Sequence, residues 1–444
     1  MTLFSVRGGI VPAHPPAAES EKMWNKEVIK DLSDRLVEAQ RPIRILDAVK
    51  WDDSIRSAFF NDGCAEQPRV DRTYYESRPL GFNPAEKRRE FLDLERDIQS
   101  KLGVFNPIGK LMRRMCREYR AVATMLESRG MRDFSQISSE LYGSSGDVFH
   151  EGDPTVADLG AMMAEMLQGF DRVELGQEEP RTISCEDSVQ ILQAKLDNYF
   201  QDPEHRVRVI VSDGIIADSA AGSDYIKLRK DSFFNERDLR LLEVHEGWVH
   251  VATTFNGACQ QVCSFLSKGP PSSTVTQEGL AMFMELITFS CHRQRVHRIT
   301  NRVRAVQLAE EGATFLDVFR FFRDQGFDEG TSYDQTTRVF RGSTPTNGPF
   351  TKDLSYSRGF VLLYQFIELA VRKGKLKLLP LLFAGKTTLE DIPALSYLVD
   401  EGIVNLPRYL PPHFADMNGL AAWMCFSNFL NHLDMRRNEA DWML

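Results

Sequence analysis

Two histidines and two glutamates between Leu241 and Glu285 are the residues of this chain best suited to chemistry. One group is His245-Glu246-Gly247-Trp248-Val249-His250, and the other is Thr276-Gln277-Glu278-Gly279-Leu280-Ala281. Neutral imidazole and carboxylate suit Zn²⁺, and three protein ligands leave a fourth position for water. Zinc lowers the pKa of such a water towards about 7, and a nearby carboxylate can take its proton. The set predicts ligands at His245, His250 and Glu278 and a general base at Glu246. The alternative is a helix with one surface histidine and one satisfied core histidine.

The spacing makes a structural demand. Histidines at i and i+4 lie about 40° apart around an α-helix, whereas i and i+5 lie about 140° apart, nearly on opposite faces. His245 and His250 can share a metal only if the helix is locally wider. A single i→i+5 turn provides that width, and such turns are frequent at functional sites. Gly247, with no Cβ, would ease the distortion.

A second stretch with chemical content is 338–358, where Arg338, Arg341, Lys352 and Arg358 accompany Tyr356. Arginine holds a terminal carboxylate with a bidentate fork. A phenol can donate to the oxyanion of a tetrahedral intermediate. These residues are therefore candidates for substrate binding, with Tyr356 as a catalytic donor; the alternative is a set of salt bridges to an acidic surface. Glu285 lies seven residues beyond Glu278 and could bond a ligand histidine from behind, or serve an unrelated surface role. His292 and His297 are also five apart, but Arg293, Arg295 and Arg298 surround them, which predicts a solvated helix face.

The elements that must position these groups read as follows. Residues 21–40 have an amphipathic helical pattern, and Lys87–Arg129 holds two more, broken near Gly103–Pro107. In the second, Leu111, Met112, Met115, Tyr119, Val122 and Met125 are predicted core. Val207–Val211 and Tyr225–Arg229 alternate as strands, with small residues at 217–223 suiting a turn, so a β-hairpin is expected before the metal helix. Its free edge could pair with an extended peptide. Asn235 offers an N-cap for the metal helix. Thr274 or Thr276 would cap the next, placing Glu278 in its first turn.

At Gln277-Glu278-Gly279-Leu280-Ala281 the chain resembles the bacterial QEGLA-motif proteins, known as flavohemoglobin expression-modulating. The likeness extends to Ser212-Asp213-Gly214, Ala220-Ala221-Gly222, Ile226-Lys227-Leu228-Arg229, Arg338-Val339-Phe340-Arg341-Gly342 and Phe350-Thr351-Lys352-Asp353-Leu354-Ser355-Tyr356. That family shares a domain with the animal microtubule-associated tyrosine carboxypeptidases, zinc enzymes with the same H-E-x-x-x-H. The resemblance implies a zinc peptidase fold with ligands at His245, His250 and Glu278 and a base at Glu246. It leaves the substrate open: the animal relatives act on tubulin tails, and nothing in this sequence points to tubulin.

Composition bounds the rest. A net charge of −9 over 444 residues argues against a nucleic-acid binder, which carries a basic footprint. Seven cysteines without framework spacing suggest a reducing compartment. The first 20 residues have no apolar leader, and the longest apolar run, 359–371, is too short to span a bilayer. The cytoplasm is therefore the expected location. The expected fold is α+β and mostly helical: a flexible tail at 1–21, a helical region at 22–204, and a zincin-like catalytic region at 205–444 with a small sheet or hairpin over the metal helix. The expected activity is zinc-dependent hydrolysis of a peptide or amide, in its specific form a carboxypeptidase acting on a peptide or protein, with no nucleic acid or membrane partner. The rival expectation is a zinc-binding regulator without turnover.

Overall fold

In the computed structural model, which describes residues 25–171, 179–213, 215 and 218–431, capping side chains and prolines set the helix boundaries of the first half. The expected tail at 1–21 lies outside the described residues. Helix α1 (Lys26–Gln40) starts where the Asn25 side chain accepts from the Val28 amide. Helices α2 (Pro84–Leu102) and α3 (Pro107–Glu127) each begin at an Asn-Pro pair. Proline presets φ there and lacks only an N–H that the first turn leaves unused. Gly103, at φ 81°, ends α2 in a conformation that favours glycine. The expected core stripe of α3, from Leu111 to Met125, is buried.

These helices back the candidate site. One apolar cluster joins Ile29 and Leu32 of α1 and Met112 and Met115 of α3 to Val244, Val249, Phe283 and Leu363. It takes residues from both sides of residue 205 without a break.

After α4 (Cys185–Tyr199) comes a small sheet of β1 (Arg208–Ser212), β2 (Ser219–Ala221) and β3 (Tyr225–Arg229) in the order β1-β3-β2. This corrects the expected hairpin. β1 and β3 run parallel, with Val209 opposite Ile226, and β2 runs antiparallel to β3, with Ala220 opposite Lys227. The small residues read as a turn instead form a strand. Alternation reveals a strand and its buried face, but not the direction of its partner. Val209, Ile226 and Leu228 pack on Leu192 and Leu196 of α4, leaving β2 at the sheet's edge.

The segment that carries His245 and His250 is one continuous rod: α5 (Glu236–Leu242), a widened π turn (Glu243–Val251) and α6 (Ala252–Ala258). Asn235 and Asp238 cap it reciprocally, through bonds of 2.8 and 3.1 Å. Within the widened turn the bonding is i→i+5, and the Ala252 amide still reaches the Gly247 carbonyl five residues back. Gly247 has a packing reason as well: a Cβ there would lie 2.5 Å from Leu196 Cδ2.

Helix α7 (Ser273–Ile287) begins earlier than its threonines suggested, so Glu278 sits in the second turn. It crosses α10 (Ser355–Arg372) at paired glycines. A Cβ on Gly279 would be 2.2 Å from the Gly359 carbonyl oxygen, and one on Gly359 would be 2.0 Å from that of Val275. This close crossing sets Glu278 beside Tyr356. Between them in sequence lie α8 (Arg293–Glu310) and α9 (Glu329–Phe340). Among the described residues, no helix is long and apolar enough to cross a membrane. All seven cysteines are free thiols.

Candidate metal centre

The widened turn rotates His250 back towards His245. Their Nε2 atoms lie 3.1 Å apart, and Glu278 Oε2 lies 3.5 Å from each. These edges resemble the face of a tetrahedron whose centre holds ligands at about 2.0–2.1 Å. Glu278 Oε2 is buried without a hydrogen-bond partner. Buried polar atoms are seldom left so, and an ion is one of the things that explain an exception. Among the described residues these three form the one cluster of histidine, cysteine and carboxylate groups able to hold a metal ion.

The charges around the triangle also call for a cation. Glu285 is fully buried and takes His245 Nδ1 at 2.6 Å. Arg295 grips the same carboxylate with Nη2 at 2.9 Å and Nε at 3.2 Å. Burial alone would raise the Glu285 carboxyl, but Arg295 and His245 bring it down to about 2. An ionised Glu285 holds the proton on Nδ1 of His245, so that Nε2 is the ring nitrogen facing the triangle. Against its burial, the neighbouring Glu278 and Glu285 carboxylates lift the His245 imidazole to about 9. Burial likewise opposes the charge on Glu278, yet Lys352 and both imidazoles hold it well below its ordinary range. One carboxylate and two imidazoles facing one point can accept a positive ion.

All of QEGLA is now accounted for. Gln277 is bonded to the Thr253 hydroxyl at 2.8 Å, Glu278 faces the triangle, Gly279 makes the helix crossing, and Leu280 and Ala281 are core.

The triangle opens into a cavity of about 1020 Å³. Glu246 lines it and accepts the Ser219 hydroxyl of β2 at 3.3 Å. Tyr356 lines it too, its ring 6.4 Å from that of His245. Burial, reinforced by Glu278, pushes the Tyr356 phenol up to about 12, so it remains a donor. Lys352 reaches Glu278 Oε1 at 3.4 Å.

The arginines of 338–358 divide. Arg338 is buried and forks onto Asp353, at 2.7 and 2.8 Å. Arg341 is buried over the Phe350 ring, and its Nε has no partner. Both line the cavity. Arg358 is not brought there: its guanidinium goes to Asp147 at 3.1 Å. Arg302, which sequence reasoning missed, joins the cluster, bonding Gln335 at 2.8 Å and lying 5.4 Å from the Tyr356 ring centre. Burial and the neighbouring Arg338 lower Arg302 to about 9 and Arg341 to about 10. The expected solvated face around His292 is corrected: Arg295 is buried against Glu285, and the His292 ring is mostly covered beside Asp238. A helix pattern shows which residues share a face, but not that another helix presents a carboxylate to it.

The family model of the microtubule-associated tyrosine carboxypeptidases matches residues 57–432, which include every one of these side chains. No curated protein matches the chain. On that match over most of its length, the chain belongs to the microtubule-associated tyrosine carboxypeptidase family.

Proposed function

We propose that the chain is a zinc-dependent carboxypeptidase whose metal is held by His245, His250 and Glu278. The convergence of two imidazole Nε2 atoms and the unpartnered Glu278 Oε2 on one point carries this reading. The donor set suits zinc: two borderline nitrogens, one carboxylate oxygen and an open side towards the cavity. Zinc bound there would supply Lewis-acid polarisation of a carbonyl and a lowered pKa for water. Glu246, on the cavity wall, would take a proton from the attacking water and return it to the leaving amine. The Tyr356 hydroxyl would donate to the developing oxyanion. In this reading 205–444 is the zincin-like catalytic region and the helices of 22–204 support it.

The charge of the cavity favours a substrate end that is anionic. Fourteen lysines and arginines line it against seven aspartates and glutamates, on a chain whose net charge is −9. Arg302, Arg338 and Arg341 cluster around one carboxylate, Asp353, which leaves buried positive charge for a substrate carboxylate. Tyrosine carboxypeptidase is the activity in the family's name, and an acidic peptide or protein C-terminus is the substrate this wall would hold. The β2 edge beside Glu246 offers free backbone groups for its extended chain.

Amidating a substrate's C-terminus should then lower kcat/KM by the worth of a charge-assisted hydrogen bond, roughly 1.5–3 kcal/mol. Paired acid and amide peptides, assayed with zinc-loaded protein, check this. Equal cleavage of both would make the enzyme an endopeptidase.

A further inference from the structure

His250 presents its imidazole to the triangle and its carbonyl to a second set of contacts. That carbonyl, at the exit of the widened turn, accepts Lys386 Nζ at 2.8 Å and the Thr254 hydroxyl at 2.8 Å. The same Nζ donates to Gln277 Oε1 at 2.9 Å. Gln277 Oε1 also accepts the Thr253 hydroxyl at 2.8 Å. The Gln277 amide therefore presents its oxygen to two donors at this point.

Lys386 comes from a third segment, which is itself anchored. Its backbone N–H bonds to the Leu266 carbonyl at 2.7 Å. Gly269, at φ 63°, clears the space, since a Cβ there would meet the Lys386 carbonyl oxygen at 2.3 Å. One side chain therefore ties together the end of the π turn, the residue preceding Glu278, and the chain after residue 385.

We propose that Lys386 is a positioning residue: it locks the π turn to α7, so that His250 and Glu278 converge before a cation arrives. A π turn is rarer than the α-helix around it, and an ordinary helix would swing His250 away. The Lys386 Nζ is bonded to the His250 carbonyl, at the end of that turn. The convergence it sets rests on the reading of His250 and Glu278 as ligands of one ion.

The test uses the full chain with Lys386→Met, Gln277→Leu and the double variant, with Lys386→Arg as conservative rescue. In metal-free protein, amide exchange over 250–255 should speed by about tenfold or more in either single variant. The double variant should add little, because both changes break one clamp. Zinc-loaded Lys386→Met should yield its metal to about 10–100-fold less chelator, and Lys386→Arg should recover part of that. Unchanged exchange in Lys386→Met would overturn the clamp, as would additive effects in the double variant. Normal metal retention with a fall in kcat alone would also overturn it, placing Lys386 on the substrate instead. Should the parent chain bind no zinc, the metal reading fails, while the exchange data still decide the clamp. If Lys386→Met does not fold, Gln277→Leu probes the same lock from α7.

Discussion

Replacing Glu246 by glutamine is expected to lower peptide turnover by about 10²–10⁴-fold while leaving bound zinc in place. The side chain lies next to His245 in sequence but does not supply one of the three converging atoms. Its carboxylate lines the cavity, and among the described residues the Ser219 hydroxyl, at 3.3 Å, is the hydrogen-bond donor on it. Glutamine preserves that hydrogen bond and the shape, and removes only the basicity. Turnover measured beside metal content separates the two roles. Turnover within tenfold of the parent would mean that Glu246 is not the base, and would favour the regulator without chemistry.

Glu285→Ala should damage both stability and metal affinity. It would leave Arg295 buried without its counter-charge, and breaking a buried pair in this way costs about 3–5 kcal/mol. It would also free His245 Nδ1, and losing such a partner weakens metal binding by about 10–100-fold. Denaturant midpoints of the metal-free protein and chelator competition of the loaded one measure the two effects. The pair also has a pH signature. The Glu285 carboxyl lies at about 2 in the fold against 4.5 ordinarily. Its stabilising contribution is therefore complete above pH 4.5 and is lost as pH falls towards about 2. Glu285→Gln should flatten that part of the acid limb in metal-free protein. An unchanged limb would show that the carboxylate is not ionised by Arg295 and His245.

The metal triangle was legible because its information is local. Residue types picked out His245, His250 and Glu278, which the fold brings together, and the i, i+5 spacing of the two histidines required the widened turn that the structure contains. The QEGLA glutamate was legible as a partner of the two histidines, but the motif's glutamine and glycine were not explained by sequence. Their reasons lie in Thr253, Lys386 and Gly359, which are close only in the fold. The sheet was half legible. Alternation marked β1 and β3, while their parallel pairing depends on the three-residue β2 that intervenes.

Charged groups were the least legible. Arg338 read as a fork for a substrate carboxylate or as a salt bridge to an acidic surface, and its partner is the buried Asp353. Arg295 read as solvated, yet it is buried on Glu285. Arg302 gave no signal, being one arginine in a basic helix. In each case the partner comes from another helix, and the desolvation that gives the charge its meaning exists only after packing.

Metal content of purified full-length chain after exposure to zinc tests the central claim most directly. The parent should carry one zinc per chain, and His250→Ala and Glu278→Ala should carry far less than one under the same conditions. Stoichiometric zinc in either variant would contradict the site, and with it the proposed hydrolysis.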